Sequence, residues 1–302
     1  MNLTVKIGSA VFPNPVTVAS GTFGHAKKYY DLQEVQQLGA LIPKTVTLLP
    51  QEGNPPPRIA ETAAGMLNAI GIENPGVDVF IEKDLPALKK IPVPLIVSVL
   101  GHSEEQFLKI TEKLNAAGGI SALELNLSCP NLQKKNLVAQ DAGATSSLVQ
   151  KVKKISRYPV IAKLSPNVTD ITVIAVAAQD AGADGVSLIN TLTGMLINTR
   201  TRRPVLGNVT GGLSGPAIKP VALNMVYQAA KKVKIPVIAM GGIMTADDAL
   251  QFIMAGASMT AVGTGNFVNP RAPLDVLQGI KAYMKKHKIN DIVQLRGSLI
   301  LP

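Results

Sequence analysis

The only cysteine of the 302-residue chain, Cys129, lies in the segment 124–131 (ELNLSCPN). The segment begins as an apolar strand pattern, and Pro130 ends that pattern directly after the thiol. A thiol at a strand end, flanked by the amides of Asn126 and Asn131, is typical of a reactive group with hydrogen-bonding partners. The alternative is a buried cysteine that packs as a small apolar side chain, which is the commoner role of a single cysteine.

Two lysines interrupt apolar patterns elsewhere in the chain. Lys44 lies in residues 40–46 (ALIPKTV) and Lys163 in residues 159–165 (PVIAKLS). Lysine is almost never fully buried without a partner, so each side chain either reaches the surface along its aliphatic stem or meets an anion inside the protein. Two lysines that enter one cavity favour an anionic or electron-rich ligand.

Several asparagines add neutral hydrogen-bonding groups to this set. Each amide both donates and accepts, which suits a planar ligand with amide and carbonyl groups, such as a pyrimidine. A single asparagine is more often a turn residue, so only the whole set supports this interpretation. The set comprises Asn68, Asn126, Asn131 and Asn190.

The elements that must position these residues alternate along the chain. Near-continuous apolar strand patterns that alternate with helical patterns are typical of a parallel sheet covered by helices. Eight such units predict an α/β fold of the closed (β/α)8 TIM-barrel type. A doubly wound open sheet is the alternative, and the lack of a G-x-G-x-x-G motif after the first strand disfavours it. The predicted strands are residues 15–20, 40–46, 94–101, 122–128, 159–165, 185–191, 236–242 and 259–265, and predicted helices include 104–116, 146–156, 170–181, 218–233, 246–255 and 274–287.

Two inserts, residues 48–76 and 192–215, interrupt this rhythm. In the first, the segments RIAET and MLNAI on either side of Ala64-Gly65 predict a hairpin. In the second, the segments LINT and PVL flank a basic turn at residues 200–203. Both inserts follow the C-terminal ends of strands, so we expect them over the barrel mouth, where barrel enzymes carry their active sites. No linker or internal repeat is evident beyond the repeating unit, and residues 1–302 are predicted to form a single domain.

Glycines follow the last two predicted strands, at Gly241-Gly242 and at Gly263-Thr264-Gly265. The loops at these two places in a barrel often bind phosphate through backbone N–H groups and a helix N-terminus. Ordinary turn glycines are the alternative at either place alone. The two together favour a phosphate-bearing cofactor.

Composition limits the remaining classes. The net charge of +10 admits nucleic acid as a partner, but the basic residues are scattered, often near predicted helix ends, and there is no Trp to offer a stacking platform. One cysteine excludes an internal disulfide and a cysteine-ligated iron–sulfur cluster on this chain, and it favours a reducing cytoplasm. No apolar run approaches the roughly 20 residues of a membrane helix. We therefore expect no metal site, nucleic acid or membrane.

The longer motifs resemble those of class 1 dihydroorotate dehydrogenases. Residues 65–71 (GMLNAIG), 126–131 (NLSCPN), 162–167 (AKLSPN) and 211–220 (GGLSGPAIKP) carry the resemblance, which extends over essentially the whole chain. The segments SPNVTDI and INTL are similar to the NAD-linked B subclass rather than to the fumarate-using A subclass. The resemblance implies an FMN-binding barrel that oxidises (S)-dihydroorotate to orotate in pyrimidine (UMP) biosynthesis.

The same resemblance implies roles for individual residues. Cys129 would be the base that takes the proton from C5 of dihydroorotate while a hydride leaves C6 for FMN, and Lys163 would lie near the electron-rich end of the flavin ring. The implied substrate residues are Lys44, Asn68, Ala69, Ile70, Gly71, Ile72, Asn126, Asn131, Asn190 and Thr191. The implied FMN residues are Ser20, Lys44, Thr45, Ser98, Asn126, Lys163, Ile189, Gly215, Gly241, Gly242, Gly263 and Thr264.

Two departures from the family pattern stand out. Ser98 replaces the asparagine that the family usually has at the end of the third strand, so a flavin contact there would be weaker or pass through water. The loop after Cys129 reads NLQKKNL over residues 131–137, where the family commonly has a Gly-Gly pair in a mobile lid.

The resemblance also implies partners. The chain lacks a dinucleotide fingerprint, so an NAD-linked enzyme would need a second subunit that carries FAD and a 2Fe-2S centre. Two such subunits would bind a homodimer of this chain and form a heterotetramer.

Three alternative functions remain. They are the same chemistry with fumarate or oxygen as acceptor, a flavoenzyme similar to tRNA dihydrouridine synthases, and a barrel that only binds. The last would require loss of Cys129 or the lysines.

Overall fold

The structure, a computed structural model, describes residues 1–24, 35–128, 130–131 and 136–302, with the backbone alone for Pro130, Asn131 and Asn136. In chain order its strands are β1 (Val5–Ile7), β2 (Ala10–Phe12), β3 (Val16–Val18), β4 (Ile59–Thr62), β5 (Gly65–Asn68), β6 (Ile96–Val99), β7 (Ala122–Asn126), β8 (Pro130–Asn131), β9 (Asn136–Leu137), β10 (Val160–Lys163), β11 (Gly185–Leu188), β12 (Leu192–Met195), β13 (Ile197–Asn198), β14 (Arg203–Pro204), β15 (Thr210–Ser214), β16 (Val237–Met240) and β17 (Met259–Val262).

A curved parallel sheet forms the centre of the fold and confirms the predicted α/β barrel class. Its seven strands lie in the order β3-β17-β16-β11-β10-β7-β6. Between the two edge strands runs the segment 39–46. Gly39 donates its N–H to the Val16 carbonyl, while Leu41 and Val46 form parallel bridges to Leu95 and Val99. These bonds join both edges and close the ring.

The prediction of a regular strand over residues 40–46 was wrong. Only the two isolated bridges at Leu41 and Val46 pair with the neighbouring strand. Pro43 lies between them and has no N–H to donate, which breaks the ladder. The N–H of Lys44 is directed away from the sheet, to the carbonyl of Gly24.

Helices cover the outside of the sheet, and the six predicted ones are confirmed with small shifts at their ends. Side chains cap several N-termini, as Ser103 does by accepting the N–H of Gln106. A helical stretch at residues 77–88, which the sequence analysis did not single out, precedes β6. Within the described ranges, no helix combines the length and apolar character that crossing a membrane requires. The helices are α1 (Val77–Val79), α2 (Leu85–Leu88), α3 (Glu104–Ala117), α4 (Ala142–Ile155), α5 (Ile171–Asp180), α6 (Lys219–Lys232), α7 (Ala246–Met254), α8 (Gly265–Val268) and α9 (Ala272–Lys286).

The N-terminal end of the barrel is closed by the hairpin β1–β2, which the sequence analysis did not assign. Ile7 and Phe12 of this hairpin are fully buried. They belong to the same apolar cluster as Ile96, Ala122 and Ile161, the first inward-pointing residues of β6, β7 and β10. The opposite end of the barrel is therefore the open one.

Both inserts contain the predicted hairpins, β4–β5 and β13–β14. The structure adds a feature that neither insert predicts alone. Strand β15 of the second insert pairs with β5 of the first, so that the two inserts form one antiparallel sheet in the order β12-β15-β5-β4. Because these strands are far apart in the chain, only the barrel brings them together. The joint sheet forms a wall beside the open mouth.

Candidate active site

A cavity of about 330 Å³ lies at the C-terminal ends of the barrel strands, beside the insert sheet. Most residues predicted from the sequence meet in it. A second cavity, of about 290 Å³, lies between the N-terminal segment and the 292–296 turn and contains none of them. The predicted residues that line the first cavity are Ser20, Lys44, Thr45, Asn68, Ile70, Gly71, Ile72, Asn126, Lys163, Ile189, Asn190, Thr191, Gly215, Gly241, Gly242, Gly263 and Thr264.

The two lysines enter this cavity from the 39–46 segment and from β10, which are separated in the ring by β6 and β7. Lys163, at the end of β10, is 5% exposed, and its Nζ donates to Ser20 Oγ at 3.1 Å. Burial lowers the pKa of Lys44, and the charge of Lys163 lowers it further, while Glu73 acts in the opposite direction. Two ammonium groups thus share one partly enclosed space, which favours an anionic ligand.

The amides of the mouth are held by one another and by the backbone. Asn190 Nδ2 donates to Ser128 Oγ at 2.7 Å, and Asn126 Oδ1 accepts the N–H of Ser128 at 3.2 Å. Asn68 reaches the mouth from the insert sheet, where its Nδ2 donates to the Gly212 carbonyl at 3.2 Å. Each side chain is oriented by these bonds and retains further hydrogen-bonding capacity for a ligand.

The segment 69–72 continues from β5 along the cavity wall. Asn54 anchors it by donating its N–H to Ile70 O at 3.0 Å and its Nδ2 to Ala69 O at 3.1 Å. Gly71 has a φ of 75° and Ile72 a φ of 55°, so the chain turns sharply here. The turn brings Ile70, Gly71 and Ile72 to the cavity, whereas Ala69 is buried behind them.

A glycine-lined hollow forms the end of the cavity near β16 and β17. Gly242 has a φ of 75°, and a Cβ there would lie 2.7 Å from Lys219 Cβ and 2.9 Å from Gly215 O. No larger residue fits without displacing backbone. The start of α6, at Lys219, therefore approaches the bare backbone of Gly242, an arrangement suited to binding phosphate. Thr264 Oγ1 donates to Ser214 Oγ at 2.8 Å on the same side.

Some predicted residues lie outside this lining. Ser98 is fully buried, and its hydroxyl is 3.0 Å from Thr45 Oγ1, so it supports Thr45 from behind. Cys129 falls outside the residues that the structure describes, as does the 132–135 part of the predicted lid. Asn131 is described by its backbone alone, within the short pairing of β8 with β9.

The structure also shows cavity residues that the sequence analysis missed. Most are apolar or small and offered no signal of their own, although Ser214 lies in the GGLSG motif. Directly beneath the cavity is Glu124, a charged residue within an apolar strand. Its charge within an apolar pattern is the same sequence signal that marks Lys44 and Lys163. The missed lining residues include Thr22, Ile59, Met66, Ser214, Ile218, Met240 and Phe267.

Comparisons with known proteins agree with this geometry. Residues 2–284 match the family model described as dihydroorotate dehydrogenase. The chain is 51% identical over 300 residues to a protein of Alkaliphilus metalliredigens, with 99% of each chain covered. It is 52% identical over 299 residues to one of Desulforamulus reducens, covering 99% of this chain and 98% of the relative. Both relatives are named dihydroorotate dehydrogenase B (NAD(+)), catalytic subunit.

Proposed function

This chain belongs to the dihydroorotate dehydrogenase family, and we propose that it oxidises (S)-dihydroorotate to orotate with FMN, as the catalytic subunit of the NAD-linked enzyme. The observation that carries the proposal is the convergence of Lys44, Lys163 and the asparagines on one cavity at the open end of the barrel. A substrate with one carboxylate and a ring of amides and carbonyls matches that set of groups.

The residues present also fit FMN. The glycine-lined hollow at Gly215, Gly241, Gly242, Gly263 and Thr264 suits its phosphate, because bare backbone faces the start of a 14-residue helix. Lys163 and Ser20 suit the polar edge of the flavin ring, since both line the cavity and the lysine Nζ donates a hydrogen bond to Ser20 Oγ there. When bound, FMN supplies the hydride acceptor that amino-acid side chains lack. Thr45 and Ile189 complete its contacts, with Ser98 behind Thr45.

The chain's own residues bind the substrate and move one proton. Lys44 pairs with the substrate carboxylate, and Asn68, Asn126, Asn131 and Asn190 hold the ring, with Thr191 and the 69–72 segment as further contacts. Cys129 takes the proton from C5, which is acidified by the neighbouring carbonyl. A thiol with an ordinary pKa of about 8.5 becomes a better base as the pH rises.

Electrons leave through a second subunit in this proposal. Both relatives are called catalytic subunits of an NAD(+)-type enzyme, which implies a separate electron-transfer subunit. A single cysteine cannot ligate a 2Fe-2S centre, so that centre and FAD belong to the partner. We propose a homodimer of this single-domain chain, joined by two partner subunits in a cytoplasmic heterotetramer.

An anaerobic experiment on the purified chain tests the reaction. After FMN is added, dihydroorotate should bleach the visible flavin band without any acceptor, because the reductive half-reaction needs this chain alone. Cys129→Ala should keep FMN and lose the bleaching. Failure to take up FMN would refute the cofactor, and a yellow protein that dihydroorotate does not bleach would refute the substrate. Full bleaching by Cys129→Ala would refute the base.

A further inference from the structure

A buried carboxylate lies directly below the proposed flavin site. Glu124 is the middle residue of β7 and is fully buried. Asn126, the next residue on the same inward face, lines the cavity, whereas Ala122, the preceding one, belongs to the apolar cluster that plugs the barrel. Glu124 therefore lies between the plug and the cavity. A carboxylate in such a place is costly unless it is paired.

The two oxygens of Glu124 have different surroundings. Oε2 accepts a hydrogen bond from Ser187 Oγ at 2.8 Å. Oε1 is shielded from solvent and, among the described residues, has no hydrogen-bond donor. It lies 3.8 Å from Lys163 Nζ, too far for a hydrogen bond but close enough for a strong ionic interaction in a dry interior. The fold thus keeps a costly carboxylate next to the lysine that we assign to FMN.

Lys163 is held between this carboxylate and the cavity. Its Nζ donates to Ser20 Oγ, and its side chain is only 6% exposed. An ammonium group in this position, without Glu124, would present a full uncompensated charge to whatever occupies the cavity. The Glu124 carboxylate, 3.8 Å from the Lys163 Nζ, balances part of that positive charge.

We propose that Glu124 is a positioning residue that fixes the Lys163 ammonium, balances its charge and thereby limits how strongly the site favours reduced over oxidised FMN. This inference rests on the proposed function only in taking FMN as the occupant. Reduction adds negative charge to the flavin, so an unbalanced ammonium stabilises the reduced form. Loss of the Glu124 charge should raise the reduction potential of bound FMN.

The test is the two-electron potential of FMN-loaded Glu124→Gln, measured anaerobically against a reference dye. Glutamine keeps the shape and the bond to Ser187 but removes the charge. We expect the equilibrium constant for reduction to rise about tenfold, which is about 30 mV upward. Glu124→Asp, which keeps the charge, and Ser187→Ala, which removes only the neutral hydrogen bond, should each change it less than about threefold. An unchanged potential in Glu124→Gln, or an equal shift in Ser187→Ala, would overturn the proposal.

A second measurement covers the case in which Glu124→Gln does not retain FMN. Thermal unfolding of the full-length Glu124→Gln chain is compared with that of the double variant Glu124→Gln/Lys163→Gln. If the carboxylate balances Lys163, removing the stranded ammonium should raise the midpoint of the double variant above that of the single one. No increase would overturn the pairing. Neither measurement uses dihydroorotate, so failure of the proposed substrate is seen separately.

Discussion

The two ends of the barrel differ in chemistry although the same strands build both. At the N-terminal end, Ile96, Ala122 and Ile161 belong with Phe12 of the β1–β2 hairpin to one buried apolar cluster. Two residues further along each strand, the inward positions hold Ser98, Glu124 and Lys163. The change from apolar to polar takes one pleat of the sheet, about 7 Å.

Along each strand, the residues that stabilise the fold are thus separate from those that face the candidate site. The plugged end gains from the hydrophobic effect, because its inward side chains belong to one apolar cluster. The open end retains buried charge and glycines with left-handed backbone, which cost stability and which the proposed function assigns to ligand binding. Substitutions at the two ends should therefore have opposite patterns of effect.

The largest effect is expected at the plugged end. Phe12→Ala removes a fully buried ring and should lower the free energy of unfolding by about 3–5 kcal/mol. At 25 °C, kcat/KM for dihydroorotate should be unchanged, because the hairpin contributes no residue to the lining of the cavity. Chemical denaturation together with steady-state kinetics checks both. The matched control is Val11→Ala on the same hairpin, where the residue is 53% exposed. A loss of activity in folded Phe12→Ala would show that the plugged end contributes to catalysis, and would contradict the proposed division between the two ends.

The reverse pattern is expected at the open end. Lys44→Met removes the ammonium proposed to bind the substrate carboxylate and should lower kcat/KM by about a hundredfold or more. The stability of the ligand-free protein should not fall, because a lysine whose pKa burial lowers is destabilising in its charged form. Flavin content, kinetics and thermal unfolding are measured together, with Lys6→Met on the exposed side of β1 as control. A large loss of stability would contradict the comparison.

The smallest effect is expected in the pH dependence of substrate binding at the open end. In the free protein the pKa of Lys44 is lowered by burial and then by Lys163, with Glu73 opposing. Lys44 therefore loses its proton at a lower pH than an ordinary lysine, and only the ammonium form binds the carboxylate. We expect KM to rise with pH through this lowered pKa, while kcat rises through ionisation of Cys129.

Lys44→Arg is the control for this pH profile, because a guanidinium stays charged throughout the accessible range. In this variant the alkaline rise of KM should disappear, while the increase of kcat remains. If the rise of KM persists unchanged in Lys44→Arg, another group is responsible for it.

Much of the fold could be predicted because its signals are local. The apolar runs located seven parallel strands, and the spacing of helical patterns located six helices to within a few residues. The segment 40–46 failed as a regular strand since Pro43 removes a donor, which the apolar pattern conceals. The helical stretch at 77–88 and the β1–β2 plug were missed because short elements have weak periodicity.

The kinds of residue in the site could be predicted from the sequence, but their positions relative to one another could be predicted less well. Lysines, asparagines and glycines at strand ends were visible in the sequence, and most line the cavity. Ser98 was predicted to contact the cofactor. In the structure it is fully buried and lies behind Thr45, with the two hydroxyl oxygens 3.0 Å apart. Glu124 was overlooked, although it stands out in its strand as clearly as Lys163 does.

Where the strands run and which residue types end each strand could be read from the sequence, because both are local patterns along one short segment. Tertiary structure alone decided how those residues meet. Asn68 reaches the mouth through a bond to Gly212, 144 residues away, and Glu124 finds Ser187 and Lys163 on other strands. Such contacts depend on sheet register and on ring closure, and those arise only when distant segments pack together.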